Sequence, residues 1–189
     1  MRIGLLGGSF NPAHAGHLHI ARLAIKRLRL DQVWLLVSPG NPLKPARGMA
    51  RLADRLASAR AIADSRGIIA TAIEAALHTR FTVDTLRILC RRFPRAKFVW
   101  LMGADNLTQL PRWRCWQTIV RLMPFAVLPR PTYNHRALAS RAALRLRPHR
   151  RPAREAALLA ATTAPCWTFL PARQHHASAT AIRRQATGE

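Results

Sequence analysis

Apolar and polar positions fall along this chain in blocks of two kinds. Short, continuous apolar runs occur at residues 2–6, 33–37, 97–102, 125–128 and 166–170, with a weaker one at 68–71. Runs of this length without period-two alternation predict strands buried on both faces. Between them lie segments with helical spacing. Residues 17–30 place Ile20, Leu23, Ala24 and Leu28 on one stripe and leave Arg22, Lys26, Arg27 and Arg29 largely off it. Residues 50–65 repeat Leu52, Leu56, Ala59 and Ala63 at the same spacing, and residues 83–93 and 113–122 follow the pattern. Strands alternating with helices predict right-handed crossovers, hence a Rossmann-like, doubly wound α/β fold: a mainly parallel sheet with helices on both faces. A chain of 189 residues has the size of one compact domain, so residues 1–189 are expected to form a single unit. In open parallel sheets the loops leaving the carboxyl ends of strands build the ligand crevice, which is where chemistry is sought.

Charge alters this picture only in part. The chain carries 31 Lys and Arg against 8 Asp and Glu, a formal charge of +23, and all but Lys26, Lys44 and Lys97 of the basic residues are Arg. Such a surplus favours phosphate-bearing partners. Arg scattered over solvated helix faces accounts for it equally well. With 49% hydrophobic residues the chain is no disordered polycation. Cys90, Cys115 and Cys166 are odd in number and far apart, with no C-x-x-C pair. That pattern predicts neither a disulfide framework nor a zinc site, and it makes Cys90 and Cys166 buried thiols by default. No segment reaches the 18 or so apolar residues of a membrane span, and the opening run lacks the layout of a secretory leader, so a cytoplasmic protein is expected.

The first strand runs into Gly7-Gly8-Ser9-Phe10-Asn11-Pro12-Ala13-His14-Ala15-Gly16-His17, where an amphipathic helix begins. Two glycines followed by a helix N-terminus make an anion cradle from main-chain N–H groups. Neither G-x-G-x-x-G nor a Walker loop is present. Instead His14 and His17, three residues apart at a helix start, can offer two imidazoles to one side of the opening turn. A plain turn, a solvated or core histidine, and a metal pair are the blander readings of these residues. His19 reads as a residue of the helix surface.

These residues resemble the first signature of the nucleotidylyltransferase superfamily, which carries H-x-G-H at this point. Its second signature, S-x-T-x-x-R, is matched by Ser178-Ala179-Thr180-Ala181-Ile182-Arg183. The segments between them are similar to bacterial nicotinate-nucleotide adenylyltransferases in particular. Those segments are Asn41-Pro42-Leu43-Lys44-Pro45, Phe81-Thr82-Val83-Asp84-Thr85-Leu86, Gly103-Ala104-Asp105-Asn106-Leu107, and Leu110-Pro111-Arg112-Trp113-Arg114-Cys115-Trp116. Phe81 departs from the Tyr of many relatives, and Lys44 stands where others have His followed by a basic residue.

The resemblance implies transfer of the adenylyl group of ATP to nicotinate mononucleotide, giving nicotinate adenine dinucleotide and pyrophosphate, a step of NAD biosynthesis. Such a displacement rests on in-line positioning and on donors for phosphoryl charge, with Mg²⁺ accompanying ATP and no fixed metal site on the protein. It further implies that His14, His17 and Arg183 are catalytic. ATP would be held by Gly7, Gly8, Ser9, Phe10, His14, Gly16 and His17, by Gly103 and Asp105, and by Ser178, Thr180 and Arg183. The mononucleotide would meet Lys44, Thr82, Val83, Thr85, Trp113 and Arg114. Trp113 would stack on the pyridine ring, and main-chain amides near Val83 and Arg114 would receive its carboxylate. Taken without the resemblance, Ser178 and Thr180 read as helix N-caps and Trp34, Trp100, Trp113 and Trp116 as core.

Nicotinamide mononucleotide, pantetheine phosphate or FMN remain alternative acceptors. The shared H-x-G-H of class I aminoacyl-tRNA synthetases is set aside because they need a much longer chain. An alternative of another class is a basic nucleic-acid-binding module built on residues 136–154, which hold seven Arg and no acidic residue. Tyr133 is the one aromatic nearby, and a base-stacking surface needs several. The apolar stripe of Ala137, Leu138, Ala142 and Leu144 instead predicts a solvated basic helix over 134–146. The expected partners are ATP and a pyridine mononucleotide, without a membrane or a specific nucleic acid, and monomer and homo-oligomer are both open.

Overall fold

The computed structural model describes residues 1–40, 48–63 and 67–172. Seven parallel strands form one sheet in the order β3-β2-β1-β4-β5-β7-β6. In chain order they are β1 (Arg2–Gly8), β2 (Gln32–Val37), β3 (Ile68–Thr71), β4 (Lys97–Gly103), β5 (Phe125–Leu128), β6 (Arg150–Arg151) and β7 (Trp167–Phe169). All six apolar runs of the sequence are strands. The pair Arg150–Arg151 carries no apolar signal, and its register against Trp167 and Thr168 makes it a strand.

Helices cover both faces. Against one lie α1 (Ala15–Leu28) and α2 (Leu52–Ile62), which bury Ala21, Ala24, Leu28 and Ala59 together with Leu35, Val99 and Leu101. A 3₁₀ segment, Ala153–Ala161, completes that face with Ala156, Leu159 and Ala160. Against the other lie α4 (Thr82–Arg92), α5 (Ala104–Gln109) and α6 (Trp116–Leu122), whose Val83, Leu86, Leu89, Leu107, Ile119 and Val120 close over Ile3, Leu5 and Trp100. A single turn, α3 (Ile73–Ala76), links β3 to α4.

Residues 134–146 depart from expectation. They form two short helices, α7 (Asn134–Leu138) and α8 (Arg141–Arg145), broken at Ser140, whose hydroxyl accepts from the Ala143 N–H at 3.3 Å and caps α8. The break resets the stripe, so Ala137, Ala142 and Ala143 face the core and Leu144 stands 61% exposed. All seven Arg of residues 136–154 are exposed, as a solvated basic surface requires. Cys166 is buried, Cys90 only half-buried, and Cys115 exposed, so the expectation of a buried thiol fits Cys166 better than Cys90.

The connections run from β1 outward to β2 and β3, then return to β4 on the other side of β1. The strand order therefore reverses between β1 and β4. At such a switch point the loops leaving two adjacent strands diverge to opposite faces and open a crevice. Gly7 and Gly8 end β1 on one side of it, and Gly103 ends β4 on the other.

Candidate active site

His14 is the N-cap of α1. Its Nδ1 accepts from the Gly16 N–H at 3.1 Å, and the His17 Nδ1 accepts from the His14 N–H at 3.2 Å. This is a capping box in which imidazoles do the work usually done by Ser and Glu. A nitrogen that accepts cannot bear the proton, so the network assigns the proton of both rings to Nε2. The helix cap thereby turns two histidines into two N–H donors. Their ring centroids are 3.9 Å apart, and Phe10 packs on His17 at 4.8 Å. His14 is 8% exposed and His17 half-buried. The sequence placed both on one side of the opening turn, and the structure does so.

The two glycines serve close approach rather than unusual backbone. Neither Gly7 nor Gly8 has left-handed backbone; Phe10 does, with φ 46°. A Cβ on Gly7 would lie 2.6 Å from the Trp100 ring, and one on Gly8 3.1 Å from the Phe10 ring. Both glycines are small because aromatic rings lie on them.

The loop is anchored to α2 from outside the motif. The Asn11 amide donates to the Gly48 carbonyl at 2.9 Å and accepts from the Ala50 N–H at 3.2 Å. Ala13 N–H donates to the Ser58 hydroxyl at 3.2 Å. Arg55, 3% exposed, donates to the carbonyl of Ser9 at 2.8 Å. Arg55 was not legible in the sequence, since one Arg among twenty-eight carries no signal of burial.

Across the crevice, Asp105 opens α5, and its Oδ1 lies 3.2 Å from the Arg130 Nε at the end of β5. A Cβ on Gly103 would strike both side chains, so glycine there lets the pair close. Arg130 was also missed; its one clue is its place just beyond a strand's carboxyl end.

The expected acceptor residues come from two separate segments. Thr82 and Val83 begin α4, where first-turn N–H groups have no acceptor within the helix. Trp113 ends the 3₁₀ turn Leu110–Arg112 and meets Trp100 edge-on, with centroids 6.4 Å apart. Cys115 has left-handed backbone, φ 50°. The Arg114 guanidinium lies 4.7 Å over the Phe81 ring and 4.0 Å from the Asp84 carboxylate. Phe81, which lacks a Tyr hydroxyl, thus serves as a platform for Arg114. Thr85 is 1% exposed; its hydroxyl lies 2.8 Å from the Thr79 hydroxyl and 3.4 Å from Glu74 Oε1. Burial pushes the Glu74 carboxyl above its ordinary value. Lys44, Ser178, Thr180 and Arg183 lie outside the described residues. Among the described residues no three His, Cys, Asp or Glu side chains gather as a metal site, and no helix is long and apolar enough to cross a membrane.

Comparison with known proteins agrees with this arrangement. The cytidylyltransferase-like family matches residues 5–185. The chain is 61% identical over 186 residues to a probable nicotinate-nucleotide adenylyltransferase of Gluconacetobacter diazotrophicus, covering 98% of this chain and 86% of that protein. It is 60% identical to one of Gluconobacter oxydans, covering 97% and 94%. Among solved structures, the Plasmodium falciparum nicotinic acid mononucleotide adenylyltransferase complexed with NaAD superposes with a TM-score of 0.70 at 16% identity, covering 97% of this chain and 82% of that one. That likeness bears on the fold. Sequence identity of this extent over nearly the whole length shows that the chain belongs to the cytidylyltransferase-like family and, within it, to the nicotinate-nucleotide adenylyltransferases.

Proposed function

We propose that this nicotinate-nucleotide adenylyltransferase joins nicotinate mononucleotide to ATP across the crevice between β1 and β4, with His14 and His17 as donors to the phosphates. In that reaction an oxygen of the mononucleotide phosphate attacks the α-phosphorus of ATP. The bond to the β-phosphate oxygen breaks, and pyrophosphate leaves. The observation that supports it best is the capping box: two imidazoles in tilted contact whose Nδ1 atoms accept from main-chain N–H groups at the start of α1, which places the proton of each on Nε2.

In this reading the His17 Nε2–H and the N–H groups of Gly8 to Phe10 hold the α-phosphate as charge develops, and His14 holds the distal phosphates. Gly16 acts through its bond to His14. Ser178, Thr180 and Arg183 close over the triphosphate, and Asp105 receives ribose or adenosine groups while keeping Arg130 beside it. Mg²⁺ would arrive on the ATP phosphates and neutralise part of their charge, which calls for no dedicated set of protein ligands. On the acceptor side, Trp113 stacks on the pyridine ring, the opening turn of α4 and the main chain at Arg114 receive the carboxylate, and Lys44 meets the phosphate. Arg114, lying beside that turn, adds a positive field that favours the acid over the amide.

The test is pyrophosphate release from ATP with nicotinate or nicotinamide mononucleotide. A large preference for the acid is expected, and equal rates would overturn the acceptor assignment.

A further inference from the structure

Carbonyl groups at the ends of parallel strands leave the ladder and must find donors elsewhere. Where β1 and β2 end, the donors come largely from one residue. Ser38 N–H donates to the Gly8 carbonyl at 3.0 Å, the last bond between the two strands' exits. Beyond it, Arg55 Nη1 donates to the carbonyls of Ser9 at 2.8 Å and Ser38 at 2.6 Å, Nη2 to that of Pro39 at 3.3 Å, and Nε to that of Ala50 at 2.9 Å. Four of the five guanidinium N–H donors are thus taken up by main-chain oxygens. Among the described residues no carboxylate pairs with Arg55, and it sits in the first turn of α2, where a cation is disfavoured by the helix dipole. A buried charge in so unfavourable a place is tolerable because carbonyl dipoles surround it.

Ser38 is gripped a second time. Its hydroxyl donates to the Gly40 carbonyl at 2.8 Å and faces the buried Glu74 carboxyl. Burial raises the Glu74 pKa, and the Ser38 and Thr85 hydroxyls pull it the other way by favouring the carboxylate. Glu74 Oε1 accepts from the Thr85 hydroxyl at 3.4 Å, in the first turns of α4. Polar groups therefore run from Ser9 through Arg55 to Ser38, whose hydroxyl faces Glu74, and from Glu74 to Thr85. The two ends of this run lie on the two substrate sides of the crevice.

We infer that Arg55 and Glu74 are positioning residues: through Ser38 they fix the spacing between the phosphate loop and the start of α4, so that the attacking phosphate and the α-phosphorus meet in line. This rests on the reaction proposed above. Neither residue touches substrate; each acts through the main chain or hydroxyls it holds.

The test measures kcat and both KM values by pyrophosphate release, with thermal midpoints, for Arg55→Lys, Glu74→Ala, Glu74→Gln and the Arg55→Lys/Glu74→Ala pair. A lysine cannot reach four carbonyls, so kcat should fall between about tenfold and 100-fold, the scale of a small misplacement of reacting groups. Glu74→Ala should lower kcat and raise the KM for the mononucleotide more than that for ATP. Glu74→Gln, whose amide can donate to Ser38 and accept from Thr85, should recover most of both. The double variant should lose less than the product of the single losses, because either change alone breaks this run of polar groups. The inference is overturned if Glu74→Gln is as impaired as Glu74→Ala, if the two losses multiply, or if both single variants keep kcat within twofold of wild type. Should Arg55→Lys fail to fold, the Glu74 pair decides alone by the same criteria. No pyrophosphate release from wild type with any pyridine mononucleotide would instead defeat the reaction, a result separate from these.

Discussion

On the β1 side of the crevice the chain is fastened by hydrogen bonds to its backbone: Asn11, Ser58 and Arg55 bind main-chain groups of the loop and of the segment entering α2. On the α4 side a buried Thr79–Thr85–Glu74 cluster holds the helix start, while the residues expected at the pyridine ring are fastened by aromatic contacts, Arg114 over Phe81 and Trp113 edge-on to Trp100. The difference matches the demands of the two substrates. Phosphate in flight needs donors fixed to within a fraction of an ångström, which directional bonds provide. A flat pyridine ring needs a plane and a field, which packing provides with more latitude.

His17→Gln probes the contrast most strongly. Gln at the third helical position can rebuild the capping box, so the thermal midpoint should stay near wild type while kcat falls by roughly 10²- to 10³-fold. A loss of stability equal to an uncapped helix, about 1 kcal/mol, would show that capping rather than donation had been removed. Trp113→Ala should leave the KM for ATP unchanged and raise that for the mononucleotide by about tenfold, the weight of one stacked base. Equal rises in both would erase the division between the two sides. Gly7→Ala bridges them, because its Cβ would lie 2.6 Å from Trp100, the ring on which Trp113 rests. We expect about 1–3 kcal/mol of destabilisation by calorimetry, with a raised KM for the mononucleotide.

Arg114→Met should weaken mononucleotide binding only several-fold, as a half-exposed cation–π contact allows, and should narrow the preference for the acid over the amide. The smallest effect concerns pH. Burial raises the Glu74 pKa in the folded protein, so its contribution to stability is fully present below the unfolded value of about 4.5 and is lost as pH rises through the folded value. Glu74→Gln removes that dependence. Its midpoint should therefore gain on wild type as pH rises from 4.5 to neutrality, and a constant difference would mean that Glu74 does not titrate there.

The contiguous signals in the sequence proved the most legible. Six apolar runs are strands because both faces of a parallel sheet are covered, which leaves no alternation to blur them. His14 and His17 could be placed together because three residues at a helix start are neighbours whatever the rest of the chain does. Residues 134–146 show the limit of periodicity: a stripe of Ala and Leu fits one helix or two, and the Ser140 cap decides for two. Arg55, Glu74 and Arg130 could not be recognised. Each is one charged residue among many, and what sets it apart is burial or a partner far away in sequence.

The sequence by itself determined the α/β order of elements, the loop that opens α1, and the residue types at the two ends of the crevice, because these depend on neighbours within a few positions. Tertiary structure alone decided that β1 and β4 lie side by side and that one buried Arg55 holds the carbonyls of Ser9, Ser38, Pro39 and Ala50. Those relations arise only when strands distant in sequence pair and leave carbonyl groups that some buried side chain must satisfy.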